Sequence, residues 1–486
     1  MAKKQGVSLL ILIITIAVMV LITAAAVIGM GNVEMFGMAN AAIEKVNMKE
    51  TENVAIAAWT KAYKEGKRTL VELQEAVDVA LIEKGLYDKY AFVVTEDGII
   101  PGSVKDEEVP EKWSESVANI TREKIPVPVG FVESPYPNEN RKNTGFVIYA
   151  LTPEEIENGV TDILKVDSNY EYSLKNRNQF VWVPVDDFEN EFVRIDFETI
   201  DSKISNVLGS GYWEVVLGDN NLPLDSTINT VDYIPQDKLE EAMAMYESVK
   251  EYGGFYIGRY EAGVQTKQEY DSYGFIAERV SISDGTNSKL MVSMGNYPYN
   301  GVAWGESLAN TSGDDRAVAL ARSFYPKDGT TYGAVSTLTY GVQWDRTLSW
   351  SRTTNSKINL KDSVNCGVYS NSVIDIDEVN KDAQYAEYSS SMFSDWKKLE
   401  SKSDGQKYLL TTGASKQTNI NNVYDMAGNL SEWTMEGYLK SYTIIRGGDF
   451  AENSEDYSVA TKDISYAYFE TEFYGFRPSL YIRVAK

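Results

Sequence analysis

The sequence predicts an α+β protein assembled in series: a transmembrane helix at the amino terminus, a small helical head, and a large domain of short strands, few helices and long irregular connections. Three observations carry this. Residues Val7 to Met30 form a nearly unbroken apolar run. Apolar residues then recur near helical spacing as far as Gly85 and give way to hairpin signals. From Ile125 onward Gly, Asn, Ser, Tyr and Trp dominate, and β-prone runs such as Phe146 to Tyr149, Phe180 to Val185 and Phe255 to Ile257 alternate with long loops, the texture of an α+β domain.

Taken in order, the apolar run is interrupted only by Ser8, Thr15, Thr23 and Gly29, none of them charged. Its length suffices for a hydrocarbon core of roughly 30 Å at about 1.5 Å per helical residue. Lys3 and Lys4 precede it and hold that end in the cytoplasm, so a single-pass protein of the cell membrane with its large domain extracellular is expected. Ala24 to Ala26 offer the small residues of a secretory cleavage site, but helix-forming sequence continues past them, and an uncleaved signal anchor accounts for the same run. The order Lys3-Lys4-Gln5-Gly6 before Val7-Ser8-Leu9-Leu10 resembles the amino terminus of type IV prepilins and pseudopilins. That resemblance implies a leader of residues 1–6 removed between Gly6 and Val7, a pilin-like stalk and head over residues 31–101, and pilin-like assembly partners. The family usually has Glu at the fifth mature position, where this chain has Ile11, which speaks against ordinary assembly into a pilus.

Beyond the apolar run, Ala39, Ala42, Val46, Asn53, Val54, Ala57, Ala58 and Ala62 extend a helix to about Gly66. A second helix opens on the capping box Thr69 and Glu72, carries the stripe Leu73, Ala76, Val77, Ala80, Leu81, and stops at Gly85. Tyr90 to Val94 and Ile99 to Ile100 flank Thr95-Glu96-Asp97-Gly98 as a hairpin. The acidic stretch 102–124 lacks periodicity and reads as a linker, and the Pro-rich Ile125 to Phe131 opens the large domain, 125–486. Its helical patterns are Asp237 to Lys250, begun by Asp237 and Glu240, and Asp314 to Phe324.

Composition removes whole classes of function. With 46 Lys+Arg against 71 Asp+Glu in 486 residues, the net charge of −25 repels a phosphate backbone, and no local basic patch offsets it, so nucleic acid is not an expected partner. The chain has no histidine, which excludes imidazole acid/base chemistry, Ser-His and Cys-His nucleophiles, and histidine-ligated zinc, copper and iron. Carboxylate pairs leave a carboxylate-dependent enzyme open. Cys366 is the single cysteine, so no intramolecular disulfide forms.

Within the large domain the run Asn422-Val423-Tyr424-Asp425-Met426-Ala427-Gly428-Asn429-Leu430-Ser431-Glu432-Trp433-Thr434 is followed by Ile445-Arg446-Gly447-Gly448-Asp449-Phe450 and by Gly475-Phe476-Arg477. Upstream lie Gly254-Phe255-Tyr256-Ile257-Gly258-Arg259-Tyr260-Glu261, Tyr297 to Trp304 and Tyr340 to Asp345. This ordered series resembles the formylglycine-generating enzyme/sulfatase-modifying family, whose fold is C-type-lectin-like, and the likeness runs from Ile125 to Lys486. On the residues alone, Asp425 and Asn429 bond backbone in a turn, Gly428 permits unusual backbone conformations and Trp433 anchors a core. The resemblance further implies a structural Ca²⁺ bound by the side chains of Asp425 and Glu432 and the carbonyls of Gly428 and Leu430, hard oxygen donors that suit the ion.

The family's catalysis does not follow. The enzyme that makes formylglycine uses a cysteine pair after the Arg-Gly-Gly element, and the segment Asp449 to Phe476 holds no cysteine, while iron-dependent relatives require histidine. Cys366 lies upstream of that position and reads as an inert buried thiol. Between Arg446 and Arg477, aromatic residues alternate with Ser, Asp, Glu, Asn and Thr, the composition of many recognition surfaces. Tyr457, Tyr466, Tyr468 and Tyr474 are the candidate contacts to an extracellular glycan or protein, whereas Phe450, Phe469 and Phe473 fit core packing as well. The expected function is a non-catalytic, membrane-anchored surface protein displaying a lectin-like, adhesin-like domain. Its rivals are a structural pseudopilin subunit and a divergent carboxylate-dependent enzyme.

Overall fold

The computed structural model describes residues 49, 51–67, 70–84, 92–95, 98–101, 109–121, 123–192, 212–213, 236–270, 279–305, 313–355, 358–375, 380–438 and 442–484. Gly6, Val7 and the whole apolar run lie outside them. Among the described residues no helix is long and apolar enough to cross a membrane. The chain divides into two compact units, Met1–Lys105 and Asp106–Lys486.

In the first unit helix α1 covers 51–64 and its chain turns at Gly66, whose φ of 100° suits glycine. Helix α2, Leu70–Glu83, points Leu73, Val77 and Leu81 inward at four-residue intervals. Strands β1, Phe92–Thr95, and β2, Gly98–Pro101, pair antiparallel with Thr95 opposite Gly98. Phe92 and Val94 join Ala55, Ala62 and the α2 stripe in one small core. Gln74 ties helix to hairpin, donating to the Phe92 carbonyl at 2.9 Å and accepting from the Val94 N–H at 2.7 Å.

The second unit starts earlier than Ile125. Strand β3, Val117–Ile120, pairs with β4, Pro126–Pro128, so the later part of the expected linker is a strand whose Val117 and Ile120 are buried. Two apolar residues in an acidic stretch are too few to announce it. A six-stranded antiparallel sheet then forms from β5 (Phe131–Glu133), β6 (Val147–Ala150), β7 (Gln179–Pro184), β8 (Gly254–Gly258), β9 (Ala334–Leu338) and β14 (Pro478–Ile482), in the spatial order β9-β14-β8-β7-β6-β5. Every residue of β7 is buried, which is why it reads as a continuous apolar run rather than an alternating one.

Helix α3, Gln236–Tyr252, lies between Ser/Asp-rich sequence and β8, and buries Ala242, Met245, Tyr246 and Val249 at helical spacing. Helix α4, Ala317–Ser323, is shorter than its sequence pattern. Helix α5, Gly341–Thr354, begins where the Gln343 side chain accepts from the Tyr340 N–H at 2.9 Å. A second sheet joins β10 (Ser431–Tyr438), β11 (Tyr442–Arg446), β12 (Lys462–Tyr466) and β13 (Tyr474–Phe476) in the order β12-β11-β10-β13, with β13 parallel to β10. This mixed α+β unit places the 422–434 run at the entry of β10 and the aromatic segment on and after β12.

Candidate binding site

The 422–434 run is held by left-handed residues. Asn421, Asn422, Asp425 and Asn429 have φ of 51°, 64°, 58° and 60°, a region that Asn and Asp tolerate better than other side chains. Gly428 has φ of 70°, and a Cβ there would stand 2.1 Å from the Val368 carbonyl oxygen, so glycine is required twice over. Its N–H donates to the Gly447 carbonyl at 2.8 Å, and the Asn429 N–H to the Val368 carbonyl at 2.8 Å. The Asn429 amide accepts from the Leu410 N–H at 2.9 Å and donates to both the Leu410 carbonyl and Glu261. Trp433 anchors the run, its indole N–H reaching the Val302 carbonyl at 2.7 Å.

The two carboxylates expected to bind Ca²⁺ are engaged elsewhere. Asp425 accepts from the Gly413 N–H at 2.6 Å and the Thr418 hydroxyl at 2.7 Å. Glu432 takes both its oxygens to Arg477, at 3.0 Å to Nε and 2.6 Å to Nη2. Burial pushes both carboxyls above the usual carboxylate range, against the pull of Gly413 and Thr418 on Asp425 and of Arg477 on Glu432. Glu261 is driven well above that range by burial and then by the nearby Asp425 and Glu432. Among the described residues no group of three or more acidic or thiol side chains is placed to hold a metal ion. The two carboxylates of the site that the family resemblance implies, Asp425 and Glu432, thus hold partners within the chain itself. Cys366 is buried.

The four candidate tyrosines differ in exposure. Tyr466 ends β12 opposite Tyr442, their rings 4.5 Å apart and their hydroxyls hydrogen-bonded at 2.9 Å. Tyr468 stacks on Tyr466 with centroids 5.3 Å apart and planes 24° apart. Tyr466 and Tyr468 are 40% and 60% exposed, and Phe469 beside them 47%, so a contiguous aromatic strip faces solvent. Sequence reasoning missed Tyr442, because only the antiparallel register of β11 and β12 brings it to Tyr466. Phe469 is partly exposed and stands edge-on to Tyr474 at 6.2 Å, whereas Phe450 lies in the core.

Tyr457 and Tyr474 are half-buried. Tyr474 packs edge-on against Trp433 at 5.0 Å, and burial pushes its hydroxyl up to about 12. Tyr457 is raised first by Glu452, then by its own burial and by Asp463, Asp449 and Asp456. That neighbourhood includes the pair Asp449 and Glu452, in which the Asp449 N–H donates to Glu452 at 3.4 Å. Burial is the main cause lifting Asp449 to about 7 and Glu452 to about 9, and their mutual repulsion adds to the latter. These two tyrosines are thus packing and polar-network groups with limited accessible surface.

No curated protein matches the chain. Among solved structures, one described as the crystal structure of CarF is 14% identical over 47% of this chain and 86% of that chain, with a TM-score of 0.27. The Treponema denticola variable protein 1 is 12% identical over 47% of this chain and 95% of that one, with a TM-score of 0.22. The stretch that carries the 422–434 run, the Arg-Gly-Gly turn and the terminal Gly-Phe-Arg is the part with a family assignment: residues 368–479 match the sulfatase-modifying factor enzyme 1-like domain.

Proposed function

We propose that this chain is a non-catalytic binding protein, anchored in the cell membrane by the Val7 to Met30 segment, which displays a lectin-like, adhesin-like domain outside the cell. The observation that supports binding is the exposed group of Tyr466, Tyr468 and Phe469, with the half-buried Tyr442 packed against Tyr466. Stacked rings are already ordered before a partner arrives, so little rotamer entropy is lost on contact, and each tyrosine adds a hydroxyl to a broad apolar face. The ligand is an extracellular glycan or protein. The missing histidine and the single buried cysteine support a domain without the sulfatase-modifying chemistry.

The test is a binding screen of the full chain against immobilised glycans and surface proteins, followed by Tyr466→Ala and Tyr468→Ala. Each substitution should weaken binding to the hit by about 2 kcal/mol or more, the loss typical of a hot spot. Thermal stability should stay within about 0.5 kcal/mol, as for other surface substitutions. Two folded variants that bind undiminished would remove the strip from the recognition surface.

A further inference from the structure

The loop at residues 425–432 raises a question of charge: which cation, if any, does it close around? Arg477 occupies that place. It is fully buried, and four hydrogen bonds spread from its guanidinium: Nε and Nη2 to Glu432 at 3.0 and 2.6 Å, Nη2 to the Tyr424 carbonyl at 2.8 Å, and Nη1 to the Gly258 carbonyl at 3.0 Å. One side chain therefore joins the start of β10, the residue before Asp425 and the end of β8. We propose that Arg477 is the resident cation of this loop and that the loop reaches full stability without a divalent metal.

The competing arrangement is costly at each donor. Ca²⁺ draws six to eight oxygens to about 2.3–2.6 Å. Glu432 would supply its oxygens at the expense of a two-pronged, charge-assisted contact between two buried groups, leaving a buried guanidinium short of its counter-ion. Asp425 would have to release the Gly413 N–H and the Thr418 hydroxyl, two donors that shape the turn before the loop. A buried N–H or hydroxyl left without a partner is itself destabilising.

The experiment is thermal unfolding of the full chain in EDTA, in excess Ca²⁺, and in matched Mg²⁺ to account for general screening of an acidic protein. The wild type should melt at the same temperature in EDTA and in Ca²⁺ once the Mg²⁺ shift is subtracted, and metal analysis of the native protein should find no stoichiometric calcium. Glu432→Gln removes the counter-ion of Arg477, and its loss of stability should be equal in EDTA and Ca²⁺. A wild-type melting temperature that falls on chelation and returns with Ca²⁺ alone overturns the proposal, as does a calcium response that Glu432→Gln abolishes. If that variant does not fold, the wild-type chelation result decides the matter by itself.

Discussion

Substituting Gly428 by alanine separates two effects that usually arrive together, because Gly405 offers the matching control. Both glycines sit in left-handed backbone, with φ of 70° and 82°. An added Cβ at Gly405 meets nothing within 4 Å, whereas at Gly428 it falls 2.1 Å from the oxygen, 2.5 Å from the carbon and 2.8 Å from the nitrogen of Val368. Gly405→Ala should therefore cost only the left-handed conformation, about 1 kcal/mol after the unfolded chain's smaller entropy is counted. Gly428→Ala must also push the Val368 backbone away. Doing so breaks the Val368 N–H to Ala427 bond at 2.9 Å and the Asn429 N–H to Val368 bond at 2.8 Å. Two buried backbone bonds at about 1 to 1.5 kcal/mol each bring the total to about 3 to 4 kcal/mol. Urea unfolding followed by tryptophan fluorescence reads the second unit, since of nine tryptophans only Trp59 precedes Lys105. A Gly428→Ala loss within about 0.5 kcal/mol of the Gly405→Ala loss, the scatter of a neutral surface change, would refute the close-approach argument.

Two further predictions concern pH. Burial lowers Lys402 from 10.5 to about 8, with its ammonium donating to the carbonyls of Ser370 at 3.1 Å and Ser372 at 2.7 Å. The unfolded chain then holds more protons than the native one between those values, so the wild type should gain stability relative to Lys402→Met as pH rises from about 8 toward 10.5. A pH-independent difference between the two proteins would count against it. For the Asp449 and Glu452 pair the sign reverses, because the folded values are raised to about 7 and about 9. Their contribution is full below the ordinary carboxylate values and is lost as pH climbs to those raised values, so Asp449→Asn should flatten the decline of melting temperature from acid to neutral pH. Parallel declines in wild type and variant would show that other groups control that range.

The parts of the fold legible in the sequence are those whose burial is apolar. Ala242, Met245, Tyr246 and Val249 announce α3, and the unbroken run of β7 announces a strand covered on both faces. Helix α5 escaped because it is buried on nearly all sides by polar and apolar residues together: Gln343, Asp345, Arg346, Thr347 and Ser351 are buried beside Val342, Trp344, Leu348 and Trp350, so no polar face sets off a hydrophobic one. The candidate site divides the same way. Asp425, Gly428 and Asn429 were legible as a tight turn because their chemistry is local. The partner of Glu432 was not, since Arg477 is 45 residues from it in the chain. Residue type identifies a good oxygen donor; it does not reveal which competitor reaches that donor first. The four tyrosines read alike in the sequence, and only the fold shows Tyr466 and Tyr468 exposed and Tyr457 and Tyr474 half-buried.

Buried arginines tie distant stretches of this unit together. Arg259, Arg446 and Arg477 are among its largest fully buried side chains, and each stands in one of the ordered motifs of the sequence. Arg259 pairs with Glu139 at 2.7 Å and donates to the Gln179 side chain at 3.0 Å, linking β7 and β8 to the loop after β5. Arg446 reaches Asp345 on α5 and stands 3.4 Å from Glu436 on β10. Arg477 closes the 425–432 loop. Buried ion pairs add little net stability over an apolar substitute, because desolvation offsets much of the attraction, but a pair broken by misplacement costs several kcal/mol. Such contacts penalise wrong arrangements more than they reward the right one, which is what long loops need when no ladder of backbone bonds fixes them.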